Sequence, residues 1–256
     1  MNTNSFFRQS FSWWCFEGRI DLEEMLMAAK KIGLEGIELI EPEFYGLVKK
    51  HDLTIASHRG HDSIESGLND HANHRRIEQE LLESIRIAEK WDCPNVIVFA
   101  GDRAATQSEQ IGAQITAEGL ARVVPAAENA GVTLVLELLN SKVDHLGYQA
   151  DSTAWGLQVC QMLDSPRVKL LYDIYHMQIM EGDVIRTILA NHQHIAHYHT
   201  AGNPGRNNLD NTQELNYQAI AKAISSTGYT GFIGHEFIPL GDPIKALEQA
   251  FKTCLV

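Results

Sequence analysis

Cysteine is scarce in this 256-residue chain. The four that occur, Cys15, Cys93, Cys160 and Cys254, are scattered without paired spacing. That argues against a disulfide framework and leaves four reduced thiols as the expectation. Positive charge is also short: 21 Lys and Arg stand against 33 Asp and Glu, a net charge of −12. Such a balance is a poor match for a phosphate backbone, so no nucleic-acid partner is expected. No stretch approaches the roughly 18 apolar residues that a membrane span needs, so no membrane partner is expected either. The run MNTNSFFRQSFSWWCF has no basic region leading into an apolar core and does not read as a signal peptide. Low-complexity segments are absent. The expectation is a cytoplasmic protein whose partner is a small-molecule substrate; a homo-oligomer is left open.

What is present is regular alternation. With 44% apolar residues the chain has enough for one sizeable core. Phe6 to Ser12 reads as a first strand with Trp13 and Trp14 in the turn after it. Asp21 reads as a helix cap with Glu24 three residues on, ahead of the stripe Leu22, Met25, Leu26, Ala29 and Ile32. A second strand covers Gly36 to Ile40, a short helical stretch runs to His51, and LTIASHRG gives a third strand ending near His58. The polar loop HDSIESGLNDHANH is long enough to cover a site. A helix from Asn73 to Trp91 leads to PNVIVFAGD, continuously apolar from Val96 to Ala100, as suits a parallel strand covered on both sides. The next helix, Gln107 to Ala130, contains Pro125 and should kink or split there. TLVLELLN, VKLLYD, IAHYHTA and GFIGHEF give strands five to eight. Helices are expected over Ala154 to Leu163, Gly182 to His192, from a cap at Asn216 to Ser226, and from Asp242-Pro243 onward. Eight strand-then-helix units without a composition break predict a single α/β domain over residues 1–256, a closed (β/α)₈ TIM barrel.

Four strands in the second half end on residues of ligand type. TLVLE ends at Glu137, VKLLYD at Asp173, IAHYH at His199 and GFIGHE at Glu236. Barrel chemistry sits at the C-terminal strand ends, and a buried carboxylate there is costly unless positive charge meets it. Strand alternation points all four into the barrel. Three carboxylates and one imidazole form a mostly hard set, which favours Mn²⁺ or Mg²⁺ and admits Co²⁺ or Zn²⁺. His176, three residues past Asp173, is placed to reach the same cavity from a strand end turning into a loop. It would touch a substrate oxygen or add a ligand. Arg206, in the loop after strand seven, could fork onto a substrate carboxylate. His197 lies deeper than His199 and reads as a hydrogen-bonded core histidine. His58 and Glu43 could line the mouth; Asn140 and Asp102 could support the ligands; Trp14 and Trp13 could wall the pocket or simply pack.

YDIYH after strand six, HTAGNPGR after strand seven and HEF at strand eight resemble the xylose-isomerase-like TIM barrels, and within them the hydroxypyruvate isomerase family. The resemblance implies one divalent metal on Glu137, Asp173, His199 and Glu236. It implies Glu137 and Glu236 as an acid/base pair, and His176 and Arg206 as holders of substrate oxygens. The implied activity is aldose–ketose isomerisation of a small hydroxy-keto acid. Histidine at 199 is closer to the ketose 3-epimerase branch, but the glutamate that branch usually carries six residues past Glu137 is here Val143. The abasic-site nucleases of the same superfamily need further histidines at strand four and after strand seven. Here those places hold Gly101-Asp102 and a stretch, Asn207 to Leu215, with no histidine. A barrel that only binds a sugar is the remaining alternative; it would need no metal.

Overall fold

The computed structural model describes residues 7–256. Phe6, the expected start of the first strand, lies outside them. The short apolar runs form eight strands: β1 (Arg8–Ser12), β2 (Gly36–Glu38), β3 (Thr54–Arg59), β4 (Asn95–Val98), β5 (Thr133–Glu137), β6 (Val168–Asp173), β7 (Ile195–Thr200) and β8 (Phe232–His235). They follow one another in sequence order around a closed barrel, and β1 pairs in parallel with both β2 and β8. Among the described residues ten α-helices lie between or after them: α1 (Leu22–Ile32), α2 (Tyr45–Lys50), α3 (His74–Lys90), α4 (Glu109–Ala121), α5 (Val124–Ala130), α6 (Thr153–Leu163), α7 (Ile174–Met180), α8 (Val184–Asn191), α9 (Tyr217–Ser226) and α10 (Pro243–Cys254). This is the (β/α)₈ barrel expected from the alternation. Among the described residues no helix is long and apolar enough to cross a membrane. All four cysteines are buried free thiols.

Local chemistry explains the boundaries. The Asp21 side chain accepts from the Glu23 and Glu24 N–H groups, and Asp242 accepts from Ile244 and Lys245. Asn216 accepts from Ala219, closing the first turn of α9. Each cap satisfies amides that a helix start leaves without partners. Pro125 does split its helix: α4 stops at Ala121, and the proline lies in the first turn of α5, where its missing N–H costs nothing.

Four expectations need correction. β2 ends at Glu38 rather than Ile40, because Leu39 turns the chain out of strand geometry at φ 50°. β4 stops at Val98, two residues short of Ala100, where the chain meets the docked loop described below. β5 stops at Glu137, and the rest of TLVLELLN is irregular. The stretch after Asp173, expected as a loop, forms α7, with His176 in its first turn.

The chain divides into two compact units by its contacts. In the unit holding β1, β2, β7 and β8, the rings of Phe11, Phe16 and Phe237 meet edge to face at 5.5 and 5.6 Å, and α1 packs on α10. In the unit holding β4, β5 and β6, α4 packs on α6, and α3 on α5. Here the polar loop of residues 60–73 docks on the end of β4. Leu68 N–H donates to Phe99 O at 3.2 Å, Asn69 N–H to Ala100 O at 2.7 Å, and Asp102 N–H to Glu65 O at 2.8 Å. Gly67 permits the approach: a Cβ there would lie 2.4 Å from the carbonyl of Ala100 and from Gly101 N. Backbone atoms cannot rotate away. Gly67→Ala should therefore cost about 1–3 kcal/mol or more, as overpacking does. Urea denaturation reads it, and an unchanged midpoint would show that the loop does not dock this tightly.

Candidate metal centre and active site

β7 and β8 bring two of the four expected ligands together. His199 lies on β7 and is fully buried; Glu236 follows β8 directly and is 4% exposed. His199 Nδ1 stands 3.2 Å from Glu236 Oε2. The same Oε2 accepts from Arg206 Nη2 at 2.7 Å, and Oε1 accepts from the Trp14 indole N–H at 2.8 Å. The Arg206 guanidinium also lies over the Trp14 ring, 5.2 Å from its centroid. Burial pushes the Glu236 carboxyl up, but the charges of His199 and Arg206 outweigh it and hold the group well below the usual carboxylate range. Trp14 is therefore part of the site, whereas Trp13 is buried packing.

Behind His199 stands Glu38, which sequence reasoning missed. It is fully buried at the end of β2. Its Oε2 lies 2.6 Å from His197 Nε2 and 3.2 Å from His199 Nε2, and its Oε1 accepts from Ser10 Oγ at 2.7 Å. Burial raises the Glu38 carboxyl, yet the two imidazoles bring it well below the usual range, so it is ionised. An ionised carboxylate only accepts, so both ring nitrogens facing it carry hydrogen. His197 is thus the hydrogen-bonded core histidine expected, and its Nδ1 has no hydrogen-bond partner among the described residues.

β5 and β6 place the other two ligands. Glu137 ends β5 and is 4% exposed; Asp173 ends β6 and is 1% exposed. The Tyr148 hydroxyl donates to the Glu137 carbonyl at 3.0 Å and accepts from Ala100 N–H at 2.9 Å, tying the ends of β4 and β5 together. Asp173 Oδ1 accepts from His176 N–H at 3.0 Å, so this carboxylate also caps α7. The His176 ring is fixed by Asn140, whose backbone N–H donates to Nδ1 at 3.1 Å. A neutral His176 then carries its hydrogen on Nε2, which lies 3.7 Å from Asp173 Oδ2. Asn140 is held in turn: its Oδ1 accepts from Val143 and Asp144 N–H, and its Nδ2 donates to Asp144.

One ligand atom from each of Glu137, Asp173, His199 and Glu236 lies within 4.8 Å of every other. The donor set fits a hard divalent cation. With Nε2 turned toward Glu38, His199 presents Nδ1 to a carboxylate oxygen 3.2 Å away. A proton on Nδ1 satisfies that contact here, and a cation bound by both groups would replace it.

The remaining candidates fall outside this group. Burial pushes the His58 imidazole down to about 4, so it is neutral near pH 7. Glu43 is exposed in the turn after β2. Asp102 sits in the loop after β4, raised by burial and by neighbouring Glu65. Val143 is an exposed loop residue.

A sequence model of the family described as xylose isomerase-like TIM barrel matches residues 26–254. The hydroxypyruvate isomerase of Escherichia coli (strain K12) is 26% identical over 234 residues, 87% of this chain and 90% of that one. The 2-oxo-tetronate isomerase of Haemophilus influenzae is 25% identical over 244 residues, 88% of this chain and 92% of that one. Among solved structures, the AP endonuclease, family 2, from Brucella melitensis superposes with a TM-score of 0.83 at 20% identity, over 94% of this chain and 97% of that one. At that identity the match speaks for the fold alone. Strand order, matched span and curated relatives agree: the chain belongs to the xylose isomerase-like TIM barrel family.

Proposed function

We propose that this chain is a metal-dependent aldose–ketose isomerase of a small hydroxy-keto acid, hydroxypyruvate or a related 2-oxo acid, working as one catalytic domain. The observation that carries the reading is the meeting of three buried carboxylates and one imidazole, with Glu236 facing His199 Nδ1 at 3.2 Å. The names of the curated relatives support the substrate class. Glu137, Asp173, His199 and Glu236 would hold Mn²⁺ or Mg²⁺, with Co²⁺ or Zn²⁺ as workable substitutes. When bound, the cation polarises the substrate carbonyl and steadies charge on the substrate oxygens.

The chain's own groups do the rest. Glu137 and Glu236 are the acid/base pair. One takes the proton from the carbon beside the carbonyl, and the C–H electron pair becomes the C=C bond of an enediolate. Return of a proton to the neighbouring carbon, with the hydroxyl proton passing to the other oxygen, completes the isomerisation. His176, with Nδ1 engaged by Asn140, offers its Nε2 hydrogen to a substrate oxygen. His58 stays neutral and can hydrogen-bond substrate without adding charge. Arg206 has two tasks. With substrate absent it pairs with Glu236 and depresses its basicity. A substrate carboxylate that takes the guanidinium would release Glu236 as a base, tying proton transfer to recognition of an acid.

Four outcomes test this. Glu137→Gln and Glu236→Gln should each lower turnover by about 10²–10⁴-fold, the scale of general acid–base catalysis, with an unchanged circular dichroism spectrum. Near wild-type turnover in either variant would remove it from the acid/base pair. Chelation should abolish activity and added Mn²⁺ or Mg²⁺ should restore it. In D₂O, NMR of the product made from hydroxypyruvate should show deuterium at carbons 2 and 3, the carbons that share the enediolate. With a free ketose, label at carbon 3 in place of carbons 1 and 2 would place the chain with the 3-epimerases instead, and no uptake from any substrate would favour a binding-only barrel. Arg206→Gln should raise KM for a keto acid by about 10–100-fold, the worth of a hydrogen bond to a charged group, and leave the KM for a neutral ketose unchanged. Equal effects on both would show that Arg206 does not read the carboxylate.

A further inference from the structure

Glu38 is an expensive residue to place where it stands. It is fully buried on β2, and β1 separates its strand from β8, the strand that leads to Glu236. Three strands make room for it. Ser10 on β1 donates to Oε1 at 2.7 Å. His197 and His199 on β7 both turn Nε2 toward Oε2. Gly234 on β8 supplies the space: a Cβ there would lie 1.8 Å from Glu38 Oε1, 2.8 Å from its Cδ and 3.0 Å from His199 Cδ2. Any side chain at 234 would evict the carboxylate or the ring. A carboxylate kept at such cost, with a glycine spent on it, has a task beyond packing.

We propose that Glu38 is a positioning residue for the metal centre: by accepting the Nε2 hydrogen of His199, it fixes the tautomer and the ring plane that present Nδ1 as the ligand atom. The proposal rests on the metal reading above and adds a residue to it. A histidine left alone can bind a cation through either nitrogen. Here Nε2 is taken, and Nδ1 is the nitrogen that faces Glu236. A carboxylate that accepts from the far side of the ring also makes Nδ1 a stronger metal ligand, as outer carboxylates do behind metal-bound histidines. His197 shares the same oxygen at 2.6 Å and limits how Glu38 can rotate, so the two histidines and Ser10 hold the carboxylate in one orientation. The effect on chemistry would pass entirely through His199; Glu38 itself touches no reacting atom.

Two measurements test it. The first is Mn²⁺ affinity, by electron paramagnetic resonance of free Mn²⁺, for wild type, Glu38→Gln and Gly234→Ala. Loss of outer partners of this kind weakens metal affinity about 10–100-fold, and both variants should show it. The second needs no variant, and so stands even where Glu38→Gln fails to fold. Wild type with ¹⁵N-labelled histidine, loaded with ¹¹³Cd²⁺, should show a metal–nitrogen coupling at Nδ1 of one histidine whose Nε2 stays protonated. A ring held only by packing has no reason to show that pattern. Coupling at Nε2, or Glu38→Gln with wild-type Mn²⁺ affinity, would overturn the role given to Glu38 while leaving the metal reading intact. Wild type that takes up no Mn²⁺ would overturn both.

Discussion

A carboxylate carried to the buried end of a strand loses its water and must find donors or positive charge there. That constraint arranges this site. Glu236 finds the indole N–H of Trp14, the guanidinium of Arg206 and the ring of His199, and its carboxyl is held well below the usual range despite burial. Glu38 finds Ser10 and two histidines. Asp173 spends one oxygen on the amide of His176 at the start of α7. One ligand atom from each of Glu137, Asp173, His199 and Glu236 lies within 4.8 Å of every other, a gathering of buried negative charge that a divalent cation would offset.

Rigidity comes from what stands behind the ligands. His176 is locked by Asn140, which is locked by the turn at Val143 and Asp144. Tyr148 pins the β5 carbonyl beside Glu137 to the end of β4. Glycines set the close approaches: Gly234 admits Glu38, and Gly67 lets the polar loop lie on β4. Arg206 differs from these. Its partners are Glu236 and the face of a half-exposed Trp14, so it can exchange a protein carboxylate for a substrate one without disturbing a strand.

Much of this was legible beforehand. The barrel could be read because eight short apolar runs alternate with amphipathic stretches, and α1, α9 and α10 begin at the caps Asp21, Asn216 and Asp242. Glu137, Asp173, His199 and Glu236 could be read because each closes an apolar run at the chemically active end of a strand. Glu38 could not. The apolar pattern of GIELI runs to Ile40, which put the strand end two residues too far and drew attention to Glu43. The strand stops at Glu38 because Leu39 takes a positive φ, a conformation that nothing in a leucine announces. α7 was hidden for a related reason: its cap is Asp173, whose carboxylate had already been given to the metal. Nothing in the sequence marks Gly234, because the carboxylate it admits comes from β2, on the other side of β1.

The central claim is that Glu137, Asp173, His199 and Glu236 grip one cation. Crystals soaked in MnCl₂ and measured at the manganese edge test it most directly. The account predicts one anomalous peak per chain, at bonding distance from a carboxylate oxygen of Glu137, Asp173 and Glu236 and from Nδ1 of His199. Well-diffracting crystals with no peak there, or with manganese bound elsewhere, would contradict it.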